Sequence, residues 1–159
     1  MARNDASYFS YNTPWGKVTI GSNGPAIVRL VPGEVVLVGE HAPNAVTNRA
    51  ATQLQEYFAG QRRMFDLPLA PSGTLFQMEV WRALELIPYG ETRTYSQVAE
   101  SIGRPGAARA VGSANNANPI PIIIPCHRVV PASGGIGGYA FGSDMKAFLL
   151  KLESRISRL

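Results

Sequence analysis

Residues 118 to 130 read Asn-Pro-Ile-Pro-Ile-Ile-Ile-Pro-Cys-His-Arg-Val-Val and contain Cys126, the only cysteine of the chain. Branched aliphatic residues that end in a proline predict a buried strand that stops abruptly, because Pro125 removes a backbone donor and fixes φ just before the sulfur. We therefore expect a thiol held on stiff backbone. In an extended segment neighbouring side chains point to opposite faces, so His127 is not expected to touch the sulfur directly.

Upstream of the cysteine, the sequence predicts a helix-turn-helix. Two Thr-x-x-Gln sequences, at 74–77 and 94–97, have the spacing of a capping box and precede apolar residues at helical spacing. Gly103 ends the second helix, and Pro105 is expected in the first turn of a further helix that runs to about Asn116. The short separation of these last two helices is typical of a helix-turn-helix.

Downstream of the cysteine, a glycine-rich loop precedes a final helix. The loop, 133–138, lacks the Gly-Lys-Ser/Thr ending of a phosphate-binding loop, so flexibility or close approach to a ligand is the better interpretation. The helix begins at about Asp144, and its apolar stripe places Glu153 at the edge. A carboxylate there could face inward, but by itself the position indicates a surface glutamate.

The N-terminal part of the chain predicts a small antiparallel sheet followed by a helix. Strand-like segments at 18–20, 27–31 and 35–38 are separated by turn residues, and the helix begins at about Asn48. Residues 66–73 break both periodicities and are the expected linker.

These elements predict an α/β fold of the α+β kind with two domains. Residues 1–72 form the N-terminal scaffold domain, a small antiparallel sheet with a helix. Residues 73–159 form a mainly helical C-terminal domain that contains the helix-turn-helix and the cysteine.

The composition limits the classes of partner. Fifteen Lys and Arg against eleven Asp and Glu give a net charge of +4 and a pI near 9.5, which favours a polyanion without proving one. One cysteine precludes an intramolecular disulfide, and with two histidines it offers no structural zinc site, so neither metal nor cofactor is expected. No apolar stretch is long enough for a bilayer, so we expect no membrane contact and a cytoplasmic location.

The second helix of the helix-turn-helix has unusually small side chains. It includes Ala107 and Ala108, and its one charge is Arg109. Helices that read the major groove usually carry longer polar side chains, whereas small residues allow close approach to the minor groove. The alternative is that the alanines are good helix formers packed on the core.

The sequence Pro-Cys-His-Arg-Val-Val, preceded by Asn-Pro-x-Pro, resembles the active-site signature of the O6-alkylguanine-DNA alkyltransferases. The resemblance covers about the C-terminal half, and the N-terminal half is similar only in pattern. It implies single-turnover DNA repair, in which Cys126 accepts the alkyl group of O6-alkylguanine, with O4-alkylthymine as a further candidate. The implied partner is double-stranded DNA, bound in the minor groove by a monomer, near the nucleoid if the source is bacterial.

The resemblance also implies roles for individual residues. His127 and Glu153 match a relay that activates the cysteine through a water molecule. Tyr95 matches a tyrosine that crowds the phosphate of the target nucleotide and donates a proton to the departing guanine. Arg109 matches an arginine that enters the base stack when the nucleotide is extruded.

The remaining correspondences concern the pocket. Backbone carbonyls near Cys126 and Val129 would accept hydrogen bonds from the exocyclic amine of guanine. Asn118 resembles an asparagine that couples the recognition helix to the active-site strand, although a turn residue before proline is an adequate alternative. The aromatic wall would be Tyr139. Two neighbours depart from a common family pattern: Ala140 replaces a frequent serine, and Phe141 replaces a frequent glycine.

Three other functions fit parts of the sequence. A non-catalytic damage sensor on the same fold would lack the cysteine, so Cys126 argues against it. A sequence-specific regulator is disfavoured, because the second helix is short and rich in alanine and the sequence has no dimerisation motif. A cysteine protease separates its cysteine and histidine in sequence, unlike the adjacent pair of this chain.

Overall fold

A computed structural model describes residues 5–159, and the chain divides into two units, Met1–Ser72 and Gly73–Leu159. The first unit contains a sheet and one helix; its elements are β1 (Ser7–Thr13), β2 (Gly16–Ser22), β3 (Ile27–Pro32), β4 (Glu40–His41) and α1 (Ala45–Phe58). The sheet order is β3-β2-β1-β4. Asn44 and Thr47 form a reciprocal capping box at the start of α1. The core includes Ile20, Leu54 and Tyr57.

Three details of the first unit differ from the prediction. The strands β1, β2 and β3 pair antiparallel, but the two-residue β4 pairs parallel with β1. Strand β1 was not predicted, and the predicted strand at 35–38 is wrong. Val36 and Val38 are 85% and 80% exposed, so this apolar run does not pack against the sheet.

The predicted linker is held by a strand. The N–H of Ile27 donates to the carbonyl of Pro68 (2.9 Å), and the N–H of Ala70 donates to the carbonyl of Ile27 (2.8 Å). Two prolines and a glycine do break the periodicity at 66–73. A single backbone bridge between Leu69 and Ile27 is nevertheless enough to attach the middle of this segment to β3. That part of the segment belongs to the first unit.

The second unit is mainly helical. Its elements are α2 (Leu75–Glu85), β5 (Arg93–Thr94), α3 (Tyr95–Ser101), α4 (Ala108–Asn116), a 3-10 turn (Cys126–Arg128), β6 (Val129–Val130) and α5 (Ser143–Ser157). Both predicted capping boxes are present, at Thr74 with Gln77 and at Thr94 with Gln97. Strands β5 and β6 form a short parallel pair.

Helix α4 begins three residues later than predicted. Pro105 and Gly106 are the middle of a turn in which the N–H of Ala107 donates to the carbonyl of Arg104 (3.1 Å). Gly106 has φ +89°, a conformation that favours glycine at this position of the turn. Proline therefore initiates the turn and not the helix.

The aliphatic run before the cysteine is buried, but it is a turn and not the predicted strand. Ile122 has φ +75°, and the N–H of Ile124 donates to the carbonyl of Ile120 (2.9 Å). The Asn118 side chain takes the place of a strand partner, because its Oδ1 accepts from the N–H of Ile120 (2.9 Å) and its Nδ2 donates to the carbonyl of Ile124 (2.8 Å). Among residues 5–159, no helix is long and apolar enough to cross a membrane.

Candidate active site

Cys126 opens the 3-10 turn at the centre of the second unit and is 4% exposed. Its N–H donates to the carbonyl of Ile124 (2.8 Å), and the N–H of Arg128 donates to the carbonyl of Pro125 (3.0 Å). The prediction of an extended backbone here is wrong, because the turn directs successive side chains around a tight helix. The sulfur is nonetheless fixed by backbone hydrogen bonds on both sides.

Glu153 lies inside the protein and is 1% exposed. Its Oε2 lies 2.7 Å from His127 Nε2. Arg128 binds the same carboxylate in a bidentate manner, with Nε donating to Oε1 (2.8 Å) and Nη2 donating to Oε2 (3.0 Å). The Gly90 N–H is a further donor to Oε1 (3.3 Å). The structure thus brings the predicted pair, His127 and Glu153, into contact.

The charges of this cluster fix the histidine tautomer. Burial opposes ionisation of Glu153, but hydrogen bonds and charges from His127 and Arg128 outweigh it and lower its pKa to about 2. Burial also lowers the pKa of His127, an effect that Glu153 opposes in part. An ionised carboxylate can only accept, so His127 carries its proton on Nε2. The basic nitrogen is then Nδ1.

The cysteine is a thiol at neutral pH. Burial raises the pKa of Cys126 to about 11, although the Asn118 amide, the Lys146 ammonium and a backbone hydrogen bond oppose this. A buried thiol with such a pKa is unreactive until a base removes its proton. The site therefore requires a proton acceptor, and His127 is the neighbouring neutral base.

Lys146 is a buried cation that the sequence did not reveal. Its side chain is fully buried, and Nζ donates to the carbonyls of Val129 (2.8 Å) and Gly138 (3.4 Å). It therefore ties the glycine-rich loop to the strand that follows the cysteine. Burial lowers the pKa of Lys146, and the nearby Cys126 opposes that shift.

A cavity of about 10 Å³ adjoins the sulfur. Its lining residues are Asn115, Asn116, Asn118, Cys126, Gly138, Tyr139 and Ala140. The predicted pocket residues Tyr139 and Ala140 are therefore beside Cys126. Phe141 packs on the Tyr139 ring, with 6.0 Å between ring centroids, and Val129 is buried with its carbonyl bound to Lys146.

Tyr95 lies between helix α4 and the glycine-rich loop. A Cβ at Gly137 would stand 3.2 Å from Tyr95 Oη, and one at Gly112 would stand 3.8 Å from the Tyr95 ring. Burial raises the pKa of Tyr95, and the charge of Cys126 raises it further. The phenol stays protonated and is a hydrogen-bond donor near the sulfur.

Three of the residues predicted to contact DNA lie on α4 or at its start, whereas the fourth, Tyr95, is the first residue of α3. Arg109 is exposed, and Ala107 and Ala108 are half-buried. The opposite face of α4 is buried through Val111 and Ala114.

Sequence reasoning missed Arg128, Lys146 and Asn115. Arg128 stands inside the quoted hexapeptide, and Lys146 stands three residues before Leu149 on the inner side of α5. Asn115 follows Val111 by four residues, which places both on one face of α4. Helical spacing was thus an available signal for Lys146 and Asn115. Buried polar residues are rare, however, so spacing alone did not identify them as buried.

Comparisons with known proteins agree with this geometry. A model described as the DNA binding domain of 6-O-methylguanine DNA methyltransferase matches residues 75–155, and one described as its ribonuclease-like domain matches residues 7–71. The chain belongs to this methyltransferase family. The predicted family is therefore confirmed.

Individual relatives extend over most of the chain. The constitutive methylated-DNA–protein-cysteine methyltransferase of Bacillus subtilis is 45% identical, covering 94% of this chain and 96% of that protein. The Methanosarcina barkeri protein of the same name is 64% identical over 65% of this chain, and the match spans 66% of its own length. The crystal structure of Mycobacterium tuberculosis OGT in complex with DNA has a TM-score of 0.88 at 44% identity, covering 94% of each chain. The predicted fold class is confirmed.

Proposed function

We propose that this protein repairs DNA by moving an alkyl group from O6-alkylguanine onto Sγ of Cys126, once per molecule. The observation that carries the proposal is the buried His127–Glu153 hydrogen bond, in which the histidine belongs to the same turn as the buried thiol of Cys126. Such a nucleophile, base and orienting carboxylate form the arrangement used to activate weak nucleophiles. The intact Cys126 disfavours a non-catalytic damage sensor.

The proton of the thiol is the first problem of this chemistry. We propose that it passes through a water molecule to Nδ1 of His127, while Glu153 stabilises the resulting imidazolium through Nε2. The thiolate then attacks the alkyl carbon, the S–C bond forms, and the C–O6 bond breaks. The charge that develops on the purine is met by a proton from Tyr95, so guanine leaves as a neutral base.

Duplex DNA is the proposed partner, bound in the minor groove by a monomer. The exposed side of α4 carries Arg109 among small residues, which permits close approach to the backbone walls of the groove. The target atom lies inside the base stack, so the nucleotide must be extruded before Cys126 can reach it. Arg109 would then fill the space that the base leaves.

Mass spectrometry tests the proposal directly. The protein is incubated with duplex DNA that carries one O6-methylguanine, and the peptide containing Cys126 should gain one methyl in place of one hydrogen. The Cys126→Ser variant should bind the same duplex but acquire no methyl group, because a serine hydroxyl is a far weaker nucleophile than a thiolate. Methylation of any other residue, or of the serine variant, would refute Cys126 as the acceptor.

A further inference from the structure

Arg128 is a buried cation whose guanidinium is held in one plane. The residue is 7% exposed and belongs to the same 3-10 turn as Cys126 and His127. Its Nη1 donates to the carbonyl of Ile87 (2.6 Å), and the guanidinium lies over the ring of Tyr89, 5.7 Å from the ring centroid. These two contacts fix the orientation of the guanidinium without the help of a carboxylate.

The Glu153 carboxylate has as many donors as it can accept. Its Oε1 accepts from Arg128 Nε (2.8 Å) and from the Gly90 N–H (3.3 Å). Its Oε2 accepts from Arg128 Nη2 (3.0 Å) and lies 2.7 Å from His127 Nε2. An ionised carboxylate has about four lone-pair positions, so all of them are occupied. Because the last torsion of a glutamate side chain is soft, the rigid fork of Arg128 determines how the carboxylate faces His127.

The charge that reaches His127 is also set by Arg128. The ionisable side chains around the imidazole are Cys126 and Arg128 in its own turn, Lys146 and Glu153 on α5, and Tyr139 before α5. Burial lowers the pKa of His127 most, Glu153 raises it, and the charges of Arg128 and Lys146 lower it further. The guanidinium therefore offsets the carboxylate charge that would otherwise favour the imidazolium.

We propose that Arg128 is a positioning residue of the thiol-activation relay, which fixes the plane of the Glu153 carboxylate and offsets its charge so that His127 stays a neutral base. The inference rests on the proposed function, because alkyl transfer is the step that needs a base for Cys126. A carboxylate alone would orient the imidazole and also promote its protonation. Carboxylate and guanidinium together orient the ring and leave it able to accept the thiol proton.

Two variants separate the charge of Arg128 from its geometry. Arg128→Met removes the charge and keeps the length, whereas Arg128→Lys keeps the charge and loses the planar fork. Single-turnover rate constants on duplex O6-methylguanine are measured from pH 5 to 9, and the final yield of methylated protein counts the competent molecules. In Arg128→Met the midpoint of the acidic limb should rise by about one pH unit, because the Glu153 charge is no longer offset. In Arg128→Lys the midpoint should stay, and the plateau rate constant should fall by about tenfold.

The control is Arg155→Met, the same change at an exposed position in the last turn of α5. Its midpoint and plateau should match those of the natural protein. An unchanged midpoint in Arg128→Met overturns the proposal, as does an equal shift in Arg155→Met. If Arg128→Met yields no competent protein, Arg128→Lys decides, and a plateau equal to that of the natural protein overturns the proposal.

An NMR titration without DNA separates this proposal from the proposed function. The chain has two histidines, so the spectra are recorded in a His41→Gln background in which His127 alone reports. The pKa of His127 should be higher in Arg128→Met than in the parent and equal to the parent in Arg155→Met. Equal values in the parent and in Arg128→Met overturn the proposal. Absence of alkyl transfer by the natural protein would instead refute the proposed function.

Discussion

Replacing Glu153 by glutamine should destabilise the second unit strongly while keeping the shape of the side chain. The carboxylate holds two donors that are themselves buried, since His127 is fully buried and Arg128 is 7% exposed. An amide has no charge for the guanidinium, and its NH2 group cannot accept the proton on His127 Nε2. The substitution therefore leaves a buried cation without its counterion.

The size of the effect follows from the pKa of Glu153. The difference between 4.5 and about 2, at about 1.4 kcal/mol for each pH unit, corresponds to roughly 3.5 kcal/mol. Removal of one partner from a buried ion pair costs about 3–5 kcal/mol in other proteins, which agrees. We expect Glu153→Gln to lower the free energy of unfolding at pH 7 by about 3–5 kcal/mol.

Urea unfolding followed by the fluorescence of Trp81 measures this free energy. Trp81 is 2% exposed and lies in the second unit, so the experiment is done in a Trp15→Phe background in which Trp81 alone reports. The control is Glu100→Gln, the same change at an exposed position of α3, which should stay within about 0.5 kcal/mol of the parent. Equal stabilities of the Glu153 and Glu100 variants would refute the reasoning.

The pH dependence gives a second check. The folded protein lowers the pKa of Glu153, so the stabilisation is complete above about pH 4.5 and is lost as the pH falls towards 2. The stability difference between the parent and Glu153→Gln should therefore be constant from pH 5 to 8 and shrink below that range. A difference that persists at pH 2 would mean that the ionised carboxylate is not its source.

Two further predictions separate DNA handling from chemistry. Arg109→Ala should slow repair of duplex DNA far more than reaction with free O6-benzylguanine, because the free base needs no extrusion; equal losses would show that Arg109 supports the fold or the pocket. Phe141→Gly should raise the rate on benzyl adducts relative to methyl adducts, because Phe141 packs on the cavity wall at Tyr139; an unchanged rate ratio would show that this contact does not limit pocket width.

The helices could be predicted because their signals are local. The capping boxes at Thr74 and Thr94 involve residues three apart, and the structure contains both. Strand β1 also had a local signal, since Tyr8, Phe9 and Tyr11 are aromatic residues typical of strands, but the neighbouring Ser7 and Ser10 obscured it. The start of α4 is set by a single turn, and the sequence did not predict this boundary correctly.

The aliphatic run at 120–124 shows why burial is easier to predict than backbone path. A buried strand and a buried turn require the same apolar residues, and the choice was made by the Asn118 amide, which satisfies two backbone groups at once. The site shows the same limit. Cys126 stood out as the lone thiol, whereas the contact of His127 with Glu153, 26 residues away, followed from family resemblance and not from spacing.

The small cavity beside the sulfur has a consequence for the spent protein. The cavity of about 10 Å³ has room for roughly one water-sized group, and a methyl group is about that size. A methyl group on Sγ would therefore fill the cavity, whereas a larger alkyl group would displace side chains at a cost of about 1–3 kcal/mol. After the proposed transfer of such a larger group, each used molecule would hold its side chains less tightly than an unused one. Its looser interior would distinguish it from the unreacted protein without any second signal.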